Sequence, residues 1–236
     1  YASSFAMFAA GRAFEQIRNS IAYPHLNVKV CATHAGLTVG EDGASHQCIE
    51  DLAIMRAIPG MKVFQPCDAA ETKAIIKGIA EIDGPCYVRL GRGGVEDVFD
   101  ENYKFEMGKG VVLKKGSKVA LIATGMMVQE ALKASEELSK EGIEPTVVNI
   151  HTIKPIDEEL IVELAKSHDV LITCEEHNVV GGLGSAVAEV AVKRAPVKMA
   201  MVGVQDTFGE SGTPKALCEK YGLDAAAIVK KVKEVL

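Results

Sequence analysis

The sequence lacks paired CxxC cysteines, apolar runs of bilayer-spanning length, a recognisable signal peptide, clustered lysines and arginines, long-period repeats and low-complexity tracts. Without a spanning run, no transmembrane helix is expected. A net charge of −6 with scattered basic residues disfavours a nucleic-acid footprint or a basic membrane patch, so small molecules and other proteins are the expected partners. The six cysteines, at positions 31, 48, 67, 86, 174 and 218, are not spaced as redox or metal pairs. Several sit in apolar runs such as VKVCAT and VLITCEE, where a thiol behaves as a small hydrophobe, and the expected setting is a reducing cytoplasm. No group of residues has metal-ligand spacing.

What is present is an α/β rhythm over 236 residues, long enough for two compact units of roughly 100 residues each. The chain opens on Tyr1 inside a hydrophobic segment and without an initiator Met, which gives the expectation of a missing upstream segment. Apolar residues recur at helical spacing over residues 5–22, and NVKVCAT follows as a buried-strand candidate. HQCIEDLAIMRAI reads as a helix with Ser45 as N-cap and Pro59 beyond its end. MKVFQP is a strand, DAAETKAIIKGIAEI a helix with a capping-box-like Asp68 and Glu71, and PCYVRL a third strand. The stretch GRGGVEDVFDENYKFEMGKG reads as a linker.

Beyond it, strands KVALIAT, EPTVVNI, DVLITCEE and VKMAMVGV alternate with amphipathic helices, and two helices close the chain. Near-continuous apolar strands between such helices predict mostly parallel sheets covered by helices. The predicted organisation is a first unit over 1–92, a linker over 93–109 and a second unit over 110–236.

The stretch ATHAGLTVGEDGASHQ puts His34, Asp42 and His46 on one glycine-rich loop at the carboxyl end of a strand, where ligands of open α/β sheets gather. His46 is expected in the first turn of the next helix, and Gly43 gives the intervening turn its backbone freedom. The residue types alone leave two readings open, a reactive loop or a glycine-rich loop with solvated histidines and a capping aspartate.

THAGLTVGEDGASHQ, preceded by FAMFAAGRAFEQIRNSIAYP and followed by IEDLAIMRAIPGMKVFQPCDAAE, resembles the pyrimidine-binding domain of transketolases. The second unit, with TIKPID and EEHNVVGGLGS in order, resembles the transketolase C-terminal domain, so the likeness covers essentially the whole chain. The arrangement is most similar to the C-terminal subunit of split transketolases. The resemblance implies thiamine diphosphate as cofactor, with the protein supplying orientation, proton transfer and phosphate anchoring. It implies that His46 serves the sugar hydroxyls and carbonyl as proton donor or acceptor, a task suited to imidazole, and that Asp42 bonds a sugar hydroxyl. It further implies that His34 and Arg92 hold the substrate phosphate, Arg92 by a bidentate grip, while Arg89 inside its strand is structural. Phe8 would stack on the aminopyrimidine ring and Phe5 would form the pocket wall. One departure is Gly11, where animal-type and yeast-type transketolases carry a tyrosine.

Two parts of such a machine have no match in the sequence, the glutamate that protonates the aminopyrimidine and the Gly-Asp-Gly with asparagine that holds magnesium and diphosphate. Mg2+ is therefore expected to be held mainly by a partner, the N-terminal transketolase subunit. The chain alone is expected to be inactive, and homodimer contacts in a dimer or heterotetramer are expected. Expected substrates are sugar phosphates of the pentose phosphate pathway. Deoxyxylulose phosphate synthase, the 2-oxo-acid dehydrogenase beta subunit and a non-catalytic assembly subunit are the alternatives. VVGGLGSAVAEV invites a dinucleotide reading, but its glycines do not directly follow the strand and the third glycine of the fingerprint is missing. Glu176 with His177, and His151, read as structural, and His25 and His168 as surface residues.

Overall fold

The apolar runs found in the sequence form the interior strands of two sheets, and the computed structural model describes all of residues 1–236. In the first unit, β1 (Ala2–Phe5), β2 (Lys29–Thr33), β3 (Lys62–Phe64) and β4 (Cys86–Arg89) lie side by side in the order β1-β2-β4-β3, all parallel. In the second, β5 (Val111–Lys114) is antiparallel to β7 (Thr146–Asn149), which continues in parallel through β6 (Lys118–Ala123), β9 (His168–Asn178) and β10 (Lys198–Val204). Parallel strands need crossovers. The helices α1 (Asp51–Ala57), α2 (Ala69–Ala80), α3 (Met127–Ser139), α4 (Glu158–Ser167) and α5 (Leu183–Arg194) supply most of them, and α6 (Pro214–Tyr221) and α7 (Ala225–Val235) close the chain. The fold is α/β with two mostly parallel, helix-covered sheets. No helix is long and apolar enough to cross a membrane.

The two units are stitched together. A short strand after β7, β8 (Thr152–Lys154), leaves its own sheet and pairs antiparallel with β3, Val63 opposite Lys154 and Phe64 opposite Thr152. Lys154 Nζ then donates to the carbonyls of Arg56 and Ile58 at 2.8 and 2.7 Å. One apolar cluster runs through both units, from Ala6, Leu52 and Tyr87 to Ile122, Leu171 and Val187. The segment over 93–109 has little regular structure, yet it is strapped down. Asp68 caps α2 through the Glu71 N–H and also accepts from the N–H groups of Val98 and Phe99 at 2.7 Å each. Tyr103 donates to Glu71 at 2.9 Å, and Phe105 meets Phe64 edge-on.

Four local expectations are corrected. Phe5 ends a strand, Ala2–Phe5, rather than opening the helix expected over 5–22, since this segment pairs with β2, and the helical stretch that follows is wound as π-helix over Phe8–Arg12 and Gln16–Ala22. Ser45 is not an N-cap. The helix α1 starts at Asp51, because residues 44–50 turn back to bond the catalytic-loop candidate, with the Gly36 N–H donating to the Cys48 carbonyl at 2.8 Å. The strands β5 and β8 were not expected at all, and the first sheet has five strands rather than three.

Candidate active site

The loop that carries His34, Asp42 and His46 leaves β2 at its carboxyl end. His34 takes a left-handed conformation, φ 59°, a region that costs a side-chain-bearing residue energy and concentrates at functional sites. Its Nδ1 lies 3.0 Å from Thr33 Oγ1. Two 3-10 turns, Leu37–Asp42, follow across a break at Gly40. Gly43 then turns the chain with φ 73°, and the N–H groups of His46 and Gln47 both donate to its carbonyl, at 3.0 and 3.1 Å. His46 therefore stands on a tight turn five residues before α1, not inside the helix, and Ser45 Oγ lies 3.0 Å from its Nδ1. Asp42 is exposed and His46 half-buried.

Four of the predicted residues form one aromatic cluster. The Phe5 ring lies stacked on the His34 imidazole with centroids 3.9 Å apart, and is parallel to Phe8 at 5.9 Å. His46 meets both phenylalanines edge-on, at 6.3 Å from Phe5 and 5.6 Å from Phe8. Beside Gly11, where the tyrosine is absent, Arg12 lays its guanidinium 4.7 Å from the Phe8 centroid. Parallel, half-buried rings with an imidazole set edge-on to both are side chains of the kind that can line a pocket for a flat heterocycle. No group of three or more His, Cys, Asp or Glu side chains is set to hold a metal ion.

Arg92 joins the same loop from β4's far end. Its Nη1 donates to the Val39 carbonyl and stands 3.5 Å from the Glu41 carboxylate, with the side chain 42% exposed. Nε and Nη2 carry no bond within the chain, so two donors remain for an oxyanion. Arg89 is buried and bonded in the interior through Nε and Nη2. It pairs with Asp51 at 3.0 Å and donates through Nη2 to the carbonyls of Cys48 and Glu176, both at 3.0 Å, while Tyr87 donates to Asp51 at 2.7 Å. Burial alone would lower the Arg89 pKa, but the Asp51 and Glu176 carboxylates more than offset it and raise it.

The glycine run over 181–184 is closed to phosphate. The N–H groups of Leu183 and Gly184, at the start of α5, donate to the Glu175 carboxyl oxygens at 2.6 and 2.8 Å, so the chain's own carboxyl group fills the site a dinucleotide phosphate would use. Burial pushes Glu175 up to about 7 against those two hydrogen bonds, and holds His177 down at about 4. Glu176 and His177 do not pair. His177 Nδ1 lies 2.6 Å from the Asn178 carbonyl and its Nε2 accepts from the Ala53 N–H at 3.4 Å, with the Glu175 carboxylate 3.7 Å away, while Glu176 accepts from the Thr38 N–H at 2.6 Å. His151 is buried beside Thr152 and held down at about 4 by desolvation. His25 is exposed, whereas His168 is half-buried and tied to Thr146 and Leu164. A cavity of about 690 Å³ lies between the units, lined in part by Gln65, Cys67, Gly125 and Glu130, and none of the six predicted site residues borders it. Gln47, which holds the loop, is not singled out by the sequence, where its place directly after His46 is the available signal, and Glu176, read there as structural beside His177, bonds the loop at Thr38 instead.

Residues 1–96 match the family described as transketolase, pyrimidine binding domain, and residues 108–228 match transketolase, C-terminal domain. The chain belongs to the transketolase family. A transketolase C-terminal section of Methanocaldococcus jannaschii is 52% identical over 237 residues, spanning 99% of this chain and 74% of that protein. The 6-deoxy-6-sulfo-D-fructose transketolase subunit of Clostridium sp. (strain MSTE9) is 43% identical over 235 residues, covering 100% of this chain and 73% of that subunit. A solved split-gene transketolase, described as an inactive beta4 tetramer, superposes with a TM-score of 0.93 at 57% identity over 99% of this chain and 75% of that one. This transketolase-family chain thus corresponds to the C-terminal subunit of a split, transferase-type enzyme.

Proposed function

We propose that the chain is the C-terminal half of a two-polypeptide ketol transferase that moves a two-carbon unit between sugar phosphates, with a role in the pentose phosphate pathway. The observation that carries this reading is the cluster of Phe5, Phe8, His34 and His46, brought together from β1, the first helical turn and one loop. Phe8 would hold the aminopyrimidine by stacking, with Phe5 as the wall. Thiamine diphosphate, when bound, supplies the carbanion-stabilising chemistry.

The remaining work falls to this chain's own side chains. His46, with Ser45 on its Nδ1 side, would present Nε2 to the substrate and carry a proton to and from its oxygen atoms. Exposed Asp42 would accept from a sugar hydroxyl and so select configuration. His34 and the unengaged donors of Arg92 would hold the phosphate. Mg2+ and the diphosphate would be held mainly by an N-terminal partner subunit, in a dimer or heterotetramer, and the chain alone would be inactive. Six free thiols, none in a disulfide, agree with a cytoplasmic setting.

The sulfo-sugar relative makes the donor an open choice of chemistry around the same loop. The test is a reconstitution with the N-terminal partner, thiamine diphosphate and Mg2+. Formation of sedoheptulose phosphate from xylulose phosphate and ribose phosphate is the expected result. Turnover of pyruvate alone would replace the reading with a synthase or a 2-oxo-acid dehydrogenase. An assembled complex in which His46→Ala changes no rate would make the chain an assembly subunit.

A further inference from the structure

The reactive loop is held from behind by the second unit. Glu176, at the end of β9 and 3% exposed, accepts from the Thr38 N–H at 2.6 Å. The same carboxylate fills the space beside Gly36 (φ 85°), where any Cβ would run into it. Arg89 ties the Glu176 carbonyl to the Cys48 carbonyl, so the end of β9 and the end of the loop share one guanidinium.

A second hold comes from residues 209–214. Gln47, 3% exposed, directs its Nε2 at three carbonyls, Leu37 at 3.1 Å, Gly40 at 3.2 Å and Glu210 at 2.9 Å. Two of these belong to the loop and the third to the second unit. A Cβ on Gly209 would meet the Gln47 amide, one on Gly43 would come within 2.6 Å of Ser211 Oγ, and one on Gly40 within 3.3 Å of the Gly212 carbonyl. The loop is therefore packed along one side, while Asp42 and the edge of His46 stay on the other.

We infer that the C-terminal unit sets the working geometry of the His46 loop, with Glu176 and Gln47 as positioning residues. The inference rests on the ketol-transferase reading for what the loop does, and on the contacts above for how it is held. Proton transfer tolerates little misplacement, since a shift near 1 Å can cost about a hundredfold in rate. Neither residue needs to touch the substrate for this. Glu176 fixes the start of the loop, Gln47 closes its two ends on each other, and the 209–214 segment bars outward movement.

The experiment uses the complete two-polypeptide assembly. Gln47→Ala, Glu176→Ala and Gly209→Ala, whose Cβ would press on the Gln47 amide, are compared with Glu176→Gln, whose amide oxygen still accepts from Thr38. Rates are normalised to cofactor-loaded sites, and amide hydrogen exchange is followed over residues 36–47. The expected result is a kcat lower by about 10- to 100-fold with KM for the sugar donor within about threefold, faster exchange confined to residues 36–47, and near-complete recovery in Glu176→Gln. A purely structural role would lower the number of loaded sites and leave kcat per site unchanged. Wild-type exchange rates over 36–47 in Glu176→Ala and Gly209→Ala would overturn the inference. Should the wild-type assembly show no ketol transfer while the exchange differences persist, the hold on the loop stands and the functional reading falls.

Discussion

Two glycine-rich loops leave the carboxyl ends of parallel strands in this chain, one after β2 and one after β9, and they have opposite fates. In the second, the Glu175 carboxyl group sits on the N–H groups of Leu183 and Gly184, leaving the helix terminus with its acceptor already in place. In the first, backbone needs are met by Gln47, Glu176 and the carbonyl of Gly43, so Asp42 and His46 stay available at the surface. Glycine content and strand-end location are shared. What separates the candidate reactive loop from the closed one is whether its polar side chains are consumed by the fold.

That contrast can be broken by substitution. The largest expected effect is on His46. In the assembled enzyme, His46→Ala lowers kcat/KM by about 10²- to 10⁴-fold with unchanged urea midpoint, and steady-state rates beside denaturation curves check both halves. An equal loss of stability would place His46 with the closed loop. The converse variant is Glu175→Ala, which leaves two buried N–H groups without an acceptor. It should cost about 1–3 kcal/mol for each unsatisfied group, read from urea unfolding, with kcat per loaded site preserved.

A smaller effect concerns pH. His151 and His177 are both held down at about 4 by burial. The unfolded chain binds their protons below about pH 6.5, so the stability they contribute is complete above that value and lost as pH falls through 4. Glu175, pushed up to about 7 from an ordinary 4.5, contributes in the other direction. Its share is complete below 4.5 and lost as pH rises through 7. Between pH 4.5 and 6.5, His151→Gln should flatten the rise of stability with pH and Glu175→Gln should steepen it, each by up to about 1.4 kcal/mol per pH unit. Urea unfolding at a series of pH values reads the slopes directly, and an unchanged slope in Glu175→Gln would show that carboxylate to be ionised throughout. The smallest effect is that of Ser45→Ala, which removes the hydroxyl 3.0 Å from His46 Nδ1. It should reduce kcat by about 2- to 10-fold, the worth of one hydrogen bond.

The sheets were legible in the sequence wherever strands are buried on both faces. Residues 119–123 and 170–174 form near-continuous apolar runs because nothing on them faces water. β1 was not legible, since Ala2, Ser3 and Ser4 are exposed and carry no alternation, and β5 and β8 are short edge pieces defined by their partners. Ser45 reads as a helix cap on local chemistry, but Gln47, buried and bonded to three carbonyls, keeps residues 44–50 out of the helix.

For the candidate site, the residues within one motif could be named because they are close in sequence. The contact of Thr38 with Glu176 spans 138 positions, and no spacing rule reaches that far. Arg92 is named through the family resemblance, whereas its bond to the Val39 carbonyl depends on how the loop folds.

The central claim is that the Phe5 and Phe8 rings, with His46 beside them, receive the pyrimidine end of thiamine diphosphate. The direct measurement is a calorimetric titration of thiamine diphosphate with Mg2+ into the complete two-polypeptide assembly, wild type and Phe8→Ala. The account predicts uptake of one coenzyme per C-terminal chain, weakened about tenfold by loss of one aromatic stack. No uptake by the wild-type assembly, or equal affinity in Phe8→Ala, would contradict it.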